Sequence, residues 1–585
     1  MLQCPAMPRS LRSYAPAALV AVVALALFVT AGPLRFPMDD AYIHLVYGRN
    51  LAEHGLLTFN LNPPDRGIGT TSVLWTLLLA ALHPLLGVQA AARLLGILGG
   101  LATVVLSAVI ADWITPRRPD APWAPASVAV LVALSGNLLW FSLSGMETML
   151  WLALGLGVIV AYRARRFALI GLLIGLMCLC RAEGVVLLAA LWLTESLAAW
   201  RQRRGLDPGL WLATALALLV WTPWLGYVHA HTGHWLPTSF AGKKHAQLRG
   251  AVEIMRKFLP AGAMSGGPMR LAATHLPWWR ALIYPTGAFF YGLGYVAGAG
   301  YLPGPRLVLG GNAGQVTDGG LAWLGLLAFA LVFAPCCWRA ARRAWQVLAQ
   351  ADRSDPRRLA LAALAVWFAL HNLAYWLKLP TPGTASRYQC VNHVAVWLLA
   401  GAGAWRLVDR RRAVATVLAL LLLAISNATY WRAVYGSDCR HMDQVRLAAA
   451  AYASAELPAG AVLAAHDIGA LGWAGGHRLL DLGGLIDPAY LEYAAAGEVR
   501  SWLQRSGARY VVLPDKHSSE SAGFYDYAAF LGLDAAHGVR LTPIAHFENS
   551  YADWKLGARP TWNALPAVTI YQLDLSAAAP PAAAP

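Results

Sequence analysis

Charged residues are scarce in this chain of 585 residues. Asp, Glu, Lys and Arg make up 13% of it, whereas 58% is hydrophobic and the mean hydropathy is +0.49. This shortage of charge excludes an ordinary water-soluble globular protein. Because the apolar residues come in blocks of roughly 18 to 25, the length that crosses a hydrocarbon layer ~30 Å thick, the sequence predicts a mostly helical protein with many membrane crossings.

Acidic residues are fewer than basic ones, 30 against 46, which leaves a net charge of +16. The basic residues do not collect in one domain, as nucleic-acid binding would require, but lie in short segments between apolar blocks. That distribution is the positive-inside pattern of membrane proteins. Only seven cysteines occur, most of them in or beside apolar blocks, so the sequence contains neither a disulfide framework nor a zinc motif.

The basic clusters assign an inside or an outside to each loop. Two early arginines place the N-terminus inside, and the first apolar block lacks a cleavage site, so we expect a helix there and not a signal peptide. Asp39 and Asp40 then emerge outside, whereas Arg117 is inside, although two apolar segments separate them. One segment therefore does not cross, and we assign residues 71–86 as a re-entrant or interfacial helix.

The same parity argument applies before Arg339, where we assign the Gly-, Pro- and aromatic-rich residues 281–301 to an interfacial layer. About eleven crossings then remain, and an odd number places the C-terminus outside. The predicted crossings are residues 16–34, 91–112, 124–143, 147–162, 167–180, 184–199, 209–229, 321–338, 359–378, 389–406 and 413–431.

The composition changes near residue 436. We predict a transmembrane domain over residues 1–435, with its first outer loop at 36–90, and a soluble α/β domain outside the membrane over residues 436–575. The Ala/Pro tail at 576–585 is typical of disorder. The predicted strands of the α/β domain are residues 461–465, 509–513 and 567–573, and its predicted helices are 442–455 and 498–505.

The first outer loop begins with two adjacent carboxylates, Asp39 and Asp40, with no basic residue beside them. Such a pair suits a general base or, with Glu147, a site for Mg²⁺ or Mn²⁺. The alternative is that one of the acids caps a helix over residues 41–54 that ends at Gly55. Because capping needs only one acid, we expect a functional role for at least one of the two.

Further along, several strings resemble bacterial GT-C membrane glycosyltransferases, in particular the family of the terminal arabinofuranosyltransferase of the mycobacterial cell wall. The resemblance covers most of the chain in order. The strings are MDDAYIHLVYGRNLAEHGLLTFN (38–60), GTTSVLWTLLLAALHPLLG (69–87), SGMET (144–148), CRAEG (180–184), HWLPTSFAGKK (234–244), SRY (386–388), AHDIGALGW (465–473) and DLGGLIDP (481–488).

The resemblance implies an enzyme of the bacterial cytoplasmic membrane that acts on its outer side. It implies a polyprenyl-phosphate sugar as donor and a cell-envelope glycan or lipid as acceptor, with membrane lipids around it and no nucleic-acid partner. Asp39 or Asp40 would deprotonate the acceptor hydroxyl, and the other would orient it or help to hold a divalent ion. Family members also have a non-crossing helix in the first loop, in agreement with the parity argument.

The predicted topology brings the remaining motifs to the same outer side. A phosphate leaving group needs fixed positive charge, which arginine and lysine supply. Our candidates for donor binding are Arg387, Lys243, Lys244 and Arg181, with Tyr388. Our candidates for acceptor or sugar binding are Glu147, His44, Tyr42, Glu183, His466 and Asp467.

Each candidate also has a structural alternative. Arg181 and Glu183 could form a structural ion pair at a helix end. The negative charge of Glu147 could stabilise the N-terminus of a helix over residues 148–161. Lys243 and Lys244 could anchor the protein at lipid headgroups. Aromatic residues such as Trp75 also collect at membrane interfaces without binding a ligand. Asp467 suits a helix cap, and His371 with Asn372 suits an interhelical hydrogen-bonded pair.

Two other classes of function compete with an enzyme. A transporter or flippase of lipid-linked sugars requires charged residues along the middle of several helices and internal repeats, which the sequence does not show. A non-catalytic envelope-assembly protein would tolerate loss of both Asp39 and Asp40.

Overall fold

The computed structural model describes residues 9–242, 331–332, 334–349, 354–378, 384–515, 528, 531–549 and 567–576. Up to Ala404 the described elements are helical: α1 (Arg9–Val29), α2 (Asp39–His54), α3 (Val73–Leu86), α4 (Val88–Ile114), α5 (Ala124–Ala133), α6 (Gly136–Leu143), α7 (Thr148–Arg163), α8 (Phe167–Cys180), α9 (Val185–Gln202), α10 (Pro208–Thr232), α11 (Ala334–Ala349), α12 (Pro356–Lys378) and α13 (Cys390–Ala404). A long helix, α14 (Arg410–His441), follows.

Within the described ranges, five helical segments are long and apolar enough to cross a membrane, and a sixth is added if α5 and α6, bent by 53°, form one span. The protein is therefore a multi-pass membrane protein. The predicted number of eleven stays a prediction, since four further apolar helices are shorter and residues 281–301 and most of 321–338 lie outside the described residues. The five segments are Val88–Ile114, Ala182–Gln202, Pro208–Thr232, Pro356–Leu377 and Arg410–Glu456.

Small residues let the helices of the bundle approach closely. A Cβ atom added at Gly96 of α4 would lie 2.4 Å from the carbonyl oxygen of Ser142, and one added at Gly100 would lie 2.2 Å from the Ser142 hydroxyl. Close backbone contact of this kind is the usual basis of helix association in lipid, where apolar burial alone does not favour one partner over another.

The first loop, which we predict to lie outside, contains α2 and α3. The predicted helix over 41–54 is confirmed, and Gly55 ends it with a left-handed φ of 68°. The capping alternative is wrong, because α2 already begins at Asp39 and Met38 occupies the N-cap position. At 1.5 Å per residue, the 14 residues of α3 extend about 21 Å, less than the ~30 Å hydrocarbon layer. That α3 does not cross stays a prediction.

The chain enters the C-terminal part without a loop. After α14, a π-helical turn (Met442–Leu447) leads directly into α15 (Ala448–Glu456), so one helical segment runs across residue 435. Beyond it lie α16 (Gly469–Ala474), α17 (Pro488–Ala496) and α18 (Val499–Ser506) and the strands β1 (Val462–Ala465), β2 (Arg478–Asp481), β3 (Tyr510–Asp515), β4 (Arg540–Glu548) and β5 (Ala567–Asp574).

These strands form one sheet in the order β2-β1-β3-β5-β4, in which β1 pairs in parallel with β2 and β3, and β5 is antiparallel to β3 and β4. Three strands, β1, β3 and β5, confirm the sequence predictions, as do the helical stretches 442–455 and 498–505. The sequence analysis missed β2 and β4. β2 is a short edge strand whose first and last residues, Arg478 and Asp481, are charged, so only two apolar positions remain as a signal. β4 is an edge strand that contains Pro543, a residue that argues against a strand, and its register shifts there.

Candidate active site

The two adjacent acids of the first loop have different partners. The Asp40 carboxylate forms an ion pair with Arg387, and its side chain keeps 39% of its surface exposed whereas that of Arg387 keeps 6%. Arg387 lies in a tight turn in which Ala385 and Ser386 have φ values of 55° and 64°. Two successive non-glycine residues in the left-handed region are costly, so the surrounding structure must hold this turn in place.

Asp39 is buried and faces the C-terminal part. Its Oδ2 accepts a hydrogen bond from the Gly469 N–H at 2.7 Å, and its Oδ1 accepts one from the Ala470 N–H at 2.8 Å. Burial, together with the nearby negative charge of Asp467, raises the pKa of Asp39 to about 6. Both carboxylate oxygens are therefore engaged by backbone groups.

Arg181 is the hub of a buried polar network. Its Nε donates to Glu183 at 2.6 Å, its Nη2 donates to the Tyr375 hydroxyl at 3.1 Å, and its Nη1 lies 3.6 Å from Glu147. The alternative of an ion pair at a helix end is thus present in the structure, because Arg181 directly follows α8 and pairs with Glu183. Sequence reasoning missed Tyr375, one helical turn after His371 on α12.

Glu147 and His44 extend this network inward. Glu147 occupies the N-cap position of α7, but its side chain makes no capping hydrogen bond, so only the charge–dipole part of that alternative remains. Its Oε2 lies 3.6 Å from His44 Nε2 and has no hydrogen-bond partner, although the side chain is only 3% exposed. His44 Nδ1 in turn lies 3.3 Å from the Thr70 hydroxyl.

Tyr388 joins the two arginines. The guanidinium carbons of Arg181 and Arg387 lie 5.1 and 5.2 Å from the centroid of its ring, and the ring stacks on Tyr375 at 5.6 Å. The structure thereby brings seven predicted site residues into one continuous group, which we call the Arg181–Arg387 cluster. Its members are Asp40, His44, Glu147, Arg181, Glu183, Arg387 and Tyr388.

Other predicted site residues lie elsewhere. Asp467 pairs with Arg446 at 2.5 Å and with His466 at 3.3 Å, and it does not cap α16, whose N-cap is Ile468. The capping alternative for Asp467 is therefore wrong. Tyr42 is buried against Phe36, and burial raises its pKa to about 12.

Lys243 and Lys244 lie outside the described residues, so their assignment to the donor stays a prediction. Trp75 is a fully buried core residue whose Nε1 donates to the Gly145 carbonyl, so it is not an exposed aromatic residue of the membrane interface. The predicted interhelical hydrogen bond is confirmed for Asn372, whereas His371 contacts the turn that precedes α13. Asn372 exchanges two hydrogen bonds of 2.8 Å with Asn392 of α13, and His371 Nε2 lies 3.1 Å from the Tyr388 carbonyl.

The predicted cation site is not assembled by the two acids together, because Asp39 and Asp40 engage different groups. In the part of the chain that the structure describes, no three His, Cys, Asp or Glu side chains are grouped so that they could hold a metal ion. A dependence of the activity on Mg²⁺ or Mn²⁺ stays a prediction.

Comparison with solved structures assigns the fold. The structure of ArnT from Cupriavidus metallidurans in the apo state is similar over 94% of this chain and 97% of that one, with a TM-score of 0.52 and 15% identity. The chain has the GT-C fold. ArnT bound to undecaprenyl phosphate matches with a TM-score of 0.49 and 14% identity over the same shares of the two chains.

Two further matches cover different shares of this chain. Mycobacterial arabinofuranosyltransferase AftD matches 95% of this chain but only 41% of its own, with a TM-score of 0.36 and 16% identity. A family described as a domain of unknown function, DUF8728, matches residues 433–571. A search of curated protein sequences finds no match.

Proposed function

We propose that this protein transfers a sugar from a polyprenyl-phosphate donor to a hydroxyl group of a cell-envelope glycan or lipid, on the outer side of the bacterial cytoplasmic membrane. The observation that carries the proposal is the pairing of Asp40 with Arg387 inside a GT-C fold. It sets a partly exposed carboxylate, able to take a proton, directly beside a cation able to bind a phosphate.

Asp40, and not Asp39, is the general base in this proposal. Asp40 is 39% exposed at its side chain, so an acceptor hydroxyl can reach it, whereas both oxygens of Asp39 already accept backbone hydrogen bonds. Asp40 removes the hydroxyl proton while the acceptor oxygen attacks the anomeric carbon. The bond from that carbon to the phosphate oxygen breaks, and polyprenyl phosphate leaves with the electron pair.

Arg387 holds the phosphate of the donor. An arginine can bind two phosphate oxygens at once, and a fixed cation stabilises the charge that develops on the leaving group. Arg181 is the weaker candidate, because two carboxylates, Glu147 and Glu183, already pair with its guanidinium, whereas Arg387 pairs with one in the described part of the chain. ArnT, whose apo structure has the same fold, is also known bound to undecaprenyl phosphate, which supports a lipid of this class as the donor carrier.

The acceptor or the donor sugar binds beside Glu147 and His44 of the Arg181–Arg387 cluster. Glu147 Oε2 is a buried acceptor without a hydrogen-bond partner, and His44 lies beside it. A sugar hydroxyl that donates to this oxygen would remove the cost of leaving it unpaired, about 1–3 kcal/mol or more for a charged group.

The test is sugar transfer by purified, folded protein from a panel of synthetic polyprenyl-phosphate sugars. We expect Asp40→Asn to lower kcat roughly 10²- to 10⁴-fold, the usual effect of removing a general base. Asp443→Asn, which removes an exposed acid paired with Arg35, is the matched control and should keep full activity. Full transfer by Asp40→Asn would refute Asp40 as the base.

The competing classes give different results in the same preparation. A flippase in liposomes would move the labelled donor between leaflets without consuming it, and an assembly protein would do neither. Wild-type protein that transfers no sugar from any donor of the panel would refute the proposed enzyme.

A further inference from the structure

Helix α2 holds a short helix of the C-terminal part at both of its ends. At the start of α16, the Asp39 carboxylate accepts the N–H groups of Gly469 and Ala470. At its end, Arg49 Nη1 donates to the Trp473 carbonyl at 3.2 Å and Nη2 donates to the Gly472 carbonyl at 3.3 Å. The Arg49 guanidinium also lies 4.9 Å from the centre of the Trp473 ring.

The two charges match the direction of the α16 backbone. A helix leaves N–H groups unsatisfied at its start, where an anion is favourable, and carbonyl groups at its end, where a cation is favourable. Asp39 and Arg49 are ten residues apart on α2, which corresponds to about 15 Å of rise, enough to reach beyond both ends of a six-residue helix about 9 Å long. Reversing α16 would place both charges against like-signed ends.

Close approach of the two backbones depends on glycine. A Cβ atom added at Gly469 would lie 2.1 Å from the carbonyl oxygen of Asp39, and one added at Gly472 would lie 2.3 Å from Phe59 Cζ. At Gly469 the obstacle is the backbone of Asp39, so no larger side chain fits there without moving α16 away from α2, whereas at Gly472 the Phe59 ring would have to shift. The string IGALGWA is therefore matched in shape as well as in charge to α2.

Asp39 lies in a site too small for a sugar. The cavity beside it, lined by Arg446, Asp467 and residues of β3, has a volume of about 20 Å³, room for about one water molecule. Arg446 pairs with Asp467 there and also contacts His441. These surroundings suit a fixed structural contact and leave no room for an acceptor.

We propose that Asp39 and Arg49 are positioning residues that dock the C-terminal domain through α16 and thereby hold the first turn of α2, where Asp40 meets Arg387. Asp40 directly follows Asp39, so a shift of this turn moves the base relative to the phosphate-binding arginine. The catalytic half of this proposal rests on the proposed function, whereas the docking half does not.

The experiment compares variants that attack the contact from opposite sides. Asp39→Ala removes the anion, Gly469→Ala adds the clashing Cβ from α16, and Arg49→Gln removes the cation. Gly226→Ala, at a helical glycine with no atom within 4 Å of the added Cβ, is the matched control. The measurements are hydrogen exchange of the amides at residues 469–473, kcat and KM for the donor, and the pH dependence of kcat.

We expect faster exchange at these amides in all three variants, with kcat lowered roughly 10- to 100-fold, as for a misplacement of about 1 Å, and donor KM changed by less than about threefold. The acid limb of the pH profile should keep its midpoint in Asp39→Ala, because Asp40 remains. Arg49→Lys keeps the charge but cannot reach both carbonyls as the guanidinium does, so its exchange and kcat should fall between those of the wild type and those of Arg49→Gln. A general loss of folding would not be partly repaired in this selective way.

Three results would overturn the proposal. Unchanged exchange at residues 469–473 would refute docking, and faster exchange with wild-type kcat would refute positioning. Loss of the acid limb in Asp39→Ala but not in Asp40→Asn would make Asp39 the base. If the wild-type protein transfers no sugar, the exchange measurement still decides whether the docking contact exists, so failure of the proposed function is distinguishable from failure of the docking.

Discussion

Replacing Arg181 with methionine tests whether this buried arginine is a structural hub. The arginine side chain is 8% exposed, and it contacts two carboxylates, Glu147 and Glu183, that are 3% and 18% exposed. Arg181→Met leaves both acids without their cation in a region that water barely reaches. Removing one partner of a buried ion pair typically costs about 3–5 kcal/mol, so we expect a loss of that size in the free energy of unfolding.

A double-mutant cycle with Glu183→Gln isolates the pair. Once Glu183 is neutral, losing Arg181 should cost less stability. We therefore expect the double variant to lose about 1–3 kcal/mol less unfolding free energy than the sum of the two single variants. The assay is reversible unfolding in mixed micelles titrated with SDS, monitored by circular dichroism. Arg412→Met, which removes a surface arginine 82% exposed and paired with Asp409, is the control and should cost at most about 1 kcal/mol.

Wild-type stability in Arg181→Met, or strict additivity with Glu183→Gln, would refute the hub. A variant that stays stable but binds polyprenyl phosphate much more weakly would instead assign Arg181 to the donor, the role that we give to Arg387.

Three further predictions address the donor, the pH dependence and the packing of the bundle. Arg387→Met should weaken binding of polyprenyl phosphate by about 1.5–3 kcal/mol, roughly 10- to 150-fold, and Arg387→Lys should weaken it less. Calorimetric titration of the detergent-solubilised protein measures both affinities, and equal affinities of wild type and Arg387→Met would contradict the assignment of Arg387 to the donor phosphate. Burial raises the pKa of Asp481 to about 6, so its contribution to stability is complete below about pH 4 and is lost as the pH rises through 6. Relative to Asp481→Asn, the wild type should lose up to about 3 kcal/mol of unfolding free energy over this interval. A wild type that becomes more stable than Asp481→Asn as the pH rises, in the same unfolding titrations, would contradict this sign. Asn372→Leu should destabilise the bundle by about 1–3 kcal/mol, because it leaves the Asn392 amide without its two hydrogen bonds to Asn372. The double change of Asn372 and Asn392 to Leu should recover part of that loss. A double variant less stable than the single one would contradict this interpretation.

Much of the site could be predicted because its members carry local signals. Arg181 and Glu183 are two residues apart, and they pair as the sequence suggested. Glu147 directly precedes an apolar helix, as the sequence indicated, although its side chain turns away from the helix end. Tyr375 was missed because a tyrosine in an apolar block has no signal that separates it from an interfacial aromatic residue.

The sequence by itself determined the membrane character, the extent of α2, three of the five strands and the list of charged residues near the ends of apolar helices. Each of these follows from composition or from a short-range period, which folding does not alter. Only the tertiary structure decided how Asp39 and Asp40 divide their roles. Successive residues of an α-helix point about 100° apart, so adjacent acids face different neighbours. Those neighbours, Gly469 and Arg387, lie 430 and 347 residues away along the chain, a distance over which no local pattern carries information.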